Sequence, residues 1–195
     1  MPSAHLPPIQ PTAPAQAGDA TGGRVPRSAW AGIRIRPART RDVRAMRALV
    51  TPLAEQRVLL QKEAVAYYET VGDFVVAELD GEVVGCGAVH VLWEDLAEIR
   101  TLAVSSAALG AGVGSRILER LVERARELGV ERLFCLTFET EFFARHGFSP
   151  IEGQAVEPEV YLELLRSYDE GVAEFLDLER VKPNTLGNTR MLRVL

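Results

Sequence analysis

The stretch EIRTLAVSSAALGAGVGSRILERL, residues 98–121, decides how the rest of the chain is read. It starts as a β-rich run, passes through Gly110, Gly112 and Gly114, and at Ser115 opens a helix. Amides left without partners in a glycine turn and in a first helical turn converge on one point. They form a seat for a phosphate or diphosphate without needing a lysine. A β-carbon in the turn would keep the anion away from the backbone, which is why glycine suits it. A P-loop would end Gly-Lys-Ser/Thr, whereas this loop ends Gly114-Ser115-Arg116. A dinucleotide fingerprint needs a longer glycine spacing and an acid about 20 positions later. Glu131 stands there, but the glycine spacing is wrong. A plain flexible turn is the bland alternative.

After the loop, Ile117, Leu118, Leu121, Val122, Ala125 and Leu128 form one helical stripe, with Glu119, Arg120, Glu123, Arg124 and Glu127 outside it and Gly129 suited to end the helix. RLFCLTF (132–138) reads as a buried strand, and EFFARHGF as a short helix closed by Gly147. Before the loop, FVVAEL and VVGCGAVHV flank Asp80-Gly81, a strong hairpin signal, and AEIRTLAV (97–104) is a third strand. An ideal strand there would place Glu98, Arg100, Leu102 and Val104 on one face. Upstream, a strand over Ile33 to Arg36 is followed by a helix from Arg41, with Thr40 as its N-cap and Asp42 in its first turn. Arginines 34, 36, 39, 41, 44 and 47 make either a solvated rim or an anion-collecting patch. Downstream, VYLELLRSYDEGVAEFLDL holds one or two helices and RMLRVL a last strand. Hairpins first and a strand–loop–helix–strand crossover later imply a mixed α/β sheet flanked by helices.

Residues 1–31, rich in Pro, Ala and Gly, bury too little apolar surface to offset their ordering entropy. They read as a disordered tail, or else a docking arm, ahead of one domain over 32–195. Of 195 residues 47% are hydrophobic, enough for a core, and the formal net charge of −5 argues against a nucleic-acid partner. Cys86 and Cys135 sit in apolar segments, which suits reduced buried thiols. No apolar run reaches the ~18 residues of a membrane span, and the N-terminus lacks the order of a secretory signal. A cytoplasmic location with no membrane partner is expected. The histidines, His5, His90 and His146, have no metal-ligand spacing, so no metal is expected.

With its glycine loop between strand and helix, the chain resembles the GCN5-related N-acetyltransferase superfamily, whose motif is Gln/Arg-x-x-Gly-x-Gly/Ala. The motif falls on Leu109 to Gly114, with Leu109 in place of the leading polar residue. Within the superfamily, the closer likeness is to the short, single-domain amino-acid N-acetyltransferases, the N-acetylglutamate synthases of arginine biosynthesis. It is carried by VLLQKE (58–63), DFVVAELDGEVVGCGAVHVLW, EIRTLAV, RLFCLTFETEFFARHGF and VKPNTLGNTRML. The resemblance implies a mostly antiparallel sheet of six to seven strands and acetyl-coenzyme A (acetyl-CoA) as cosubstrate. It also implies transfer to the α-amine of a small amino acid, glutamate or glutamine, and it leaves room for a homodimer. The amino-acid-kinase domain of longer relatives has no counterpart in this chain, so feedback through it is not expected. The alternatives are another amine acceptor (a protein N-terminus, a lysine, a polyamine) or a non-catalytic acetyl-CoA sensor.

The same resemblance assigns roles. Backbone groups of Leu102, Ala103 and Val104 would hold the pantetheine arm, and Leu109, Gly110, Ala111, Gly112, Val113, Gly114 and Ser115 the diphosphate. An α-amine is mostly protonated at neutral pH, so a base is needed, and Glu98 stands where relatives keep an acid. Lys62 and Arg100 would take the acceptor's carboxylate, and Thr137 and Glu139 fall at acceptor-pocket positions. Several glutamate-specific relatives have arginine where this chain has Glu139, which argues against strict glutamate specificity and makes glutamine a serious candidate beside it. Phe143 stands where many members have a tyrosine acid, and phenylalanine donates no proton. Lys182, Asn184, Asn188 and Arg190 either cap the acceptor pocket or tie down the last strand.

Overall fold

The computed structural model describes residues 30, 32–56, 58–59, 62–181 and 187–195. The expected tail, except Trp30, and the candidates Lys182 and Asn184 lie outside the described residues. Trp30 packs into the core, two residues ahead of the expected start of the domain.

The strands are β1 (Arg34–Pro37), β2 (Phe74–Leu79), β3 (Glu82–Trp93), β4 (Leu96–Val104), β5 (Arg132–Thr137), β6 (Ser149–Pro150) and β7 (Thr189–Val194). They form a seven-stranded sheet in the order β1-β2-β3-β4-β5-β7-β6. Every pairing is antiparallel except β4 with β5. The helices are α1 (Val43–Glu55), α2 (Ala64–Glu69), α3 (Val113–Glu127), α4 (Thr140–Arg145), α5 (Pro158–Leu164) and α6 (Glu170–Phe175). Among the described residues no helix is long and apolar enough to cross a membrane.

The β2–β3 hairpin turns as its sequence implies: Asp80 and Gly81 both adopt positive φ, 52° and 87°. That turn twists in the same sense as the flanking strands. The α3 stripe buries Ile117, Leu118 and Leu121 completely against Val75, Ala77, Val89, Ala97, Ile99 and Leu133. The helix comes very close to β3. A β-carbon on Gly85 or Gly87 would stand 2.8 or 2.9 Å from Ile117.

At the N-terminal end the structure corrects the sequence reading. The strand runs one residue later, over Arg34–Pro37, and Thr40–Asp42 form a 3-10 turn before α1 begins at Val43. Thr40 caps nothing. The Asp42 carboxylate closes the turn by accepting the Arg39 N–H at 2.8 Å. It also pairs with the buried Arg36 guanidinium, which reaches Glu78 as well. Arg34 too is spent on Glu78. The arginine-rich region is therefore not one patch: its two strand residues are paired with carboxylates, Arg36 buried and Arg34 at the surface.

The sheet face opposite α3 carries two separate apolar clusters. α1 and α2 cover Phe74, Val76, Cys86, Ala88 and Ala103. Leu164 of α5 and Val172, Phe175 and Leu176 of the α6 segment cover Leu92, Leu96 and Phe134. Along β4 this face is apolar at Leu96 and Ala103 and charged between them, at Glu98 and Arg100. That charged interval is where a cavity opens.

Candidate active site

A cavity of about 500 Å³ lies over the middle of β4, between the two clusters. Glu98, Arg100 and Thr101 line it from β4, Lys62 and Ala66 from the α2 side, Leu136 from β5, and Asp169, Gly171 and Glu174 from α6. Asn188, just before β7, joins them. The structure thus brings together three expected residues, Lys62, Glu98 and Arg100. It does not bring Thr137 and Glu139 into that lining. The Thr137 hydroxyl accepts the Glu139 N–H at 2.9 Å, and both belong to the turn from β5 into α4.

Beside the cavity, β4 and β5 part. They pair only over Leu96–Glu98 and Arg132–Phe134, after which each keeps only its outer partner. A wedge with unpaired strand edges therefore flanks Leu102, Ala103 and Val104. A register shift opposite Gly87 accompanies it, and Thr101 sits there at φ 53°. This bulge overturns the expectation that Glu98, Arg100, Leu102 and Val104 share a face. The extra residue reverses the alternation. Leu102 and Val104 pack with the α3 cluster, while Glu98 and Arg100 face the cavity.

At the end of β4 the glycine loop leads into α3, which begins at Val113, two residues before the expected Ser115. Gly110 and Gly112 adopt φ 76° and 83°, conformations that a side chain disfavours. Gly112 is the residue before the helix, and no side chain caps that end. The amides of Val113, Gly114 and Ser115 thus have no acceptor within the helix. Leu109 is 64% exposed and points away from any role as a polar anchor. Phe143 is buried among Phe142 and Phe148. The aromatic ring that faces the loop is Phe142, 3.6 Å from where a Gly114 β-carbon would be.

The cavity's electrostatics centre on Arg100. Its Nε donates to Glu98 Oε2 at 2.5 Å and its terminal nitrogens to both Asp169 oxygens, one at 3.0 Å. Burial works against the guanidinium's charge, but Glu98 and Asp169 outweigh it and hold its pKa above the usual arginine value. Burial also opposes the Asp169 charge. Its hydrogen bonds from Arg100 nevertheless hold the carboxyl below the usual range. Asp169 also caps α6, accepting the Val172 N–H. Gly171 lets α6 lie directly on the ion pair: a β-carbon there would stand 2.0 Å from Glu98 Oε2. Burial, then the Arg100 cation, lowers the Lys62 ammonium below the usual lysine pKa. Burial, then the Glu98 charge, pushes the Glu174 carboxyl up to about 7.

Sequence reasoning missed Asp169, Gly171, Glu174 and His90. His90 pairs opposite Glu98 in the sheet, with Nδ1 2.6 Å from Asp73 and Nε2 3.8 Å from Asp169. One signal was available: Glu174 interrupts the otherwise apolar run Val172, Ala173, Phe175, Leu176. Of the C-terminal candidates, Arg190 ties down its strand, donating to Gly153 O at 3.1 Å and to Phe175 O. Asn188 is at the cavity. Cys86 and Cys135 are buried free thiols; burial pushes Cys86 up to about 12.

Comparison with known proteins agrees with this architecture. An amino-acid acetyltransferase of Mycobacterium tuberculosis is 59% identical over 164 residues, 83% of this chain and 94% of that protein. One from Neisseria meningitidis is 38% identical over 118 residues, but the match spans only 27% of its length. A crystal structure of a Mycobacterium tuberculosis protein in complex with CoA and NLQ superposes with a TM-score of 0.80, at 59% identity, over 83% of this chain and 99% of that one. N-acetylglutamate synthase from Neisseria gonorrhoeae, complexed with coenzyme A and N-acetyl-glutamate, gives 0.68 at 28% identity over 84% of this chain and 35% of that one. Residues 43–148 match the acetyltransferase (GNAT) family, and with the sheet, wedge and glycine loop in place the chain belongs to that family.

Proposed function

We propose that this protein transfers the acetyl group of acetyl-CoA to the α-amine of a small amino acid, with glutamine the favoured acceptor and glutamate the second. The observation that carries this is the cavity of about 500 Å³ with Lys62 and Arg100 in its wall, beside the wedge between β4 and β5. The edges of Leu102 to Val104 take the pantetheine arm by backbone hydrogen bonds, as the resemblance implies. The glycine-loop amides from Gly112 to Ser115 take the diphosphate, that of Ala111 being donated to Ala108 O. The thioester then reaches the cavity at Thr101, where the acceptor waits with its carboxylate on the two cations. Glu98 receives the amine as a hydrogen-bond acceptor. The nitrogen attacks the thioester carbon, an amide of the β4 edge near Val104 steadies the oxyanion, and the thiolate leaves. Thiolate is a tolerable leaving group because a thiol loses its proton near neutral pH. No tyrosine acid at Phe143 is required.

The preference for glutamine follows from charge. Seven carboxylates and two cations line the cavity. A neutral amide side chain meets less repulsion there than a second carboxylate. Thr137 and Glu139 are left outside the acceptor contacts. The same acidic lining supports a second reading, a cationic amine such as a lysine side chain or a polyamine as acceptor. A thiol-release assay over the twenty amino acids, a lysine peptide and spermidine separates the two. Release with glutamine above glutamate supports the first reading. Release only with the peptide or spermidine overturns it in favour of the second. Coenzyme binding without release on any acceptor would make the protein a sensor.

A further inference from the structure

We propose, on the footing of the amino-acid acetyltransferase reading above, that Glu174 is a second catalytic carboxylate and takes the proton from the acceptor ammonium.

Glu98 is poorly placed to do this. Its Oε2 already accepts from Arg100 Nε at 2.5 Å. The Gly171 backbone covers the same atom so closely that a β-carbon there would stand 2.0 Å away. A carboxylate so engaged has a free oxygen to receive an amine, but little room to swing with a transferred proton. Glu174 is held differently. It lies on α6, one turn beyond Gly171, lines the same cavity, and is only 6% exposed. Among the described residues its carboxylate makes no hydrogen bond or ion pair. A carboxyl buried to that degree without a partner costs stability, since such groups are normally paired. Sites that tolerate this cost are where catalytic acids and bases are found.

The charged groups facing it are Glu98 and Arg100 from β4, Lys62 from the segment before α2, and Glu170 on its own helix. Two of these are cations, yet burial and Glu98 outweigh them, so the carboxyl titrates near neutrality. A proton acceptor that titrates near the working pH is the efficient kind.

The step balances as follows. The acceptor ammonium gives one proton to the Glu174 carboxylate, which leaves a neutral amine at Glu98. The nitrogen lone pair forms the N–C bond, and the C–S bond breaks with its electrons leaving on sulfur. The second nitrogen proton goes to the thiolate. Glu174 returns its proton to water through the cavity mouth.

The test compares wild-type protein, Glu174→Gln and Glu174→Asp, measuring kcat/KM for the best amino-acid acceptor from pH 5.5 to 9, with coenzyme A affinity by calorimetry. Wild type should show an ascending limb with a midpoint near 7. Glu174→Gln should lose that limb and fall about a hundredfold, with coenzyme A affinity unchanged. Glu174→Asp should recover part of the rate and keep a limb. Circular dichroism of both variants checks the fold, and Glu174→Asp carries the decision if the glutamine variant fails to fold. A Glu174→Gln enzyme with the wild-type rate and limb overturns the assignment while leaving the acetyltransferase reading intact. A wild-type protein inactive on every amino acid overturns that reading, and this inference with it.

Discussion

Arg100 stands between two carboxylates from distant parts of the chain: Glu98, two residues away on the same strand, and Asp169, the residue that caps α6. This pins a short C-terminal helix onto the centre of the sheet and sets the back wall of the cavity. The acceptor's carboxylate would meet a cation already fixed in place. Replacement by a neutral side chain should therefore cost acceptor binding and, by loosening α6 and with it Glu174, lower kcat as well. Arg100→Gln should raise KM for the acceptor about 10- to 100-fold, the worth of about 1.5–3 kcal/mol for a hydrogen bond to a charged group. Coenzyme A affinity, measured by calorimetry, should stay within twofold. An unchanged KM would remove Arg100 from the acceptor contacts.

Gly171 offers a sharper probe of the same wall. Even alanine places a carbon 2.0 Å from Glu98 Oε2 and 2.2 Å from an Arg100 nitrogen. Retreat of either side chain breaks the ion pairs that Arg100 makes with Glu98 and Asp169. Otherwise α6 must lift, carrying Glu174 with it. Gly171→Ala should lower stability by about 1–3 kcal/mol, as overpacking does. It should also reduce kcat about a hundredfold through misplacement of reacting groups. Denaturant melts and steady-state kinetics on the same preparation read both effects.

The coenzyme side is tested at Gly112, where φ is 83° and no neighbouring atom lies within 4 Å of an added β-carbon. Alanine there meets no clash, so any effect comes from the backbone. A left-handed conformation costs an ordinary residue about 1–2 kcal/mol. Gly112→Ala should weaken coenzyme A binding by about 5- to 30-fold if the loop shifts to relieve that strain. If the loop holds, stability falls by the same amount and affinity does not. Calorimetry and thermal unfolding together distinguish these outcomes, and no change in either would show that the turn is not constrained.

What could be read from the sequence was what is local. The Asp80-Gly81 turn, the α3 stripe and the glycine loop each depend on residues within one or two turns of chain, and each appears close to where the pattern places it, except that Leu128, read onto the stripe, lies just past the end of α3 and is 51% exposed. The bulge at Thr101 was not readable, because it depends on what lies opposite, at Gly87, and on where β5 ends its pairing. Glu98 was legible from its place on the strand before the loop, but its partner Asp169 lies far along the chain. Only the docking of α6 brings them together. Thr40 failed as a cap because the nearby Asp42, locked to Arg36 across the sheet edge, offered a stronger acceptor. The cavity's acidic lining was hidden for the same reason. It is contributed by α2, the turn before β2, β4 and α6, and no single segment carries it.

The carboxylates also predict an unusual stability profile for the ligand-free protein. The hydrogen bonds from Arg36 hold Asp42 below the ordinary range, and Arg100 does the same for Asp169 against the cost of burial. Their contribution is therefore fully present above about pH 3.9, the unfolded value, and is lost as the pH falls through the lower folded values. Glu174 has the opposite sign. Its folded value of about 7 lies above the unfolded one, so the folded state binds the extra proton between about pH 4.3 and 7. Stability should fall across that interval and level off above it, by an amount on the order of 3 kcal/mol. Urea unfolding at half-unit pH steps should thus place the maximum near pH 4–5, not at neutrality. Glu174→Gln should abolish the decline between 4.3 and 7 and make the protein more stable at pH 7.5 than wild type. Asp42→Asn should instead remove part of the acid-side loss and destabilise at neutral pH, since Arg36 then keeps only Glu78. A Glu174→Gln variant that gains stability while losing activity is what a carboxylate kept unpaired for its chemistry produces. A flat wild-type profile from pH 5 to 7 would mean that Glu174 finds a charge partner in solution.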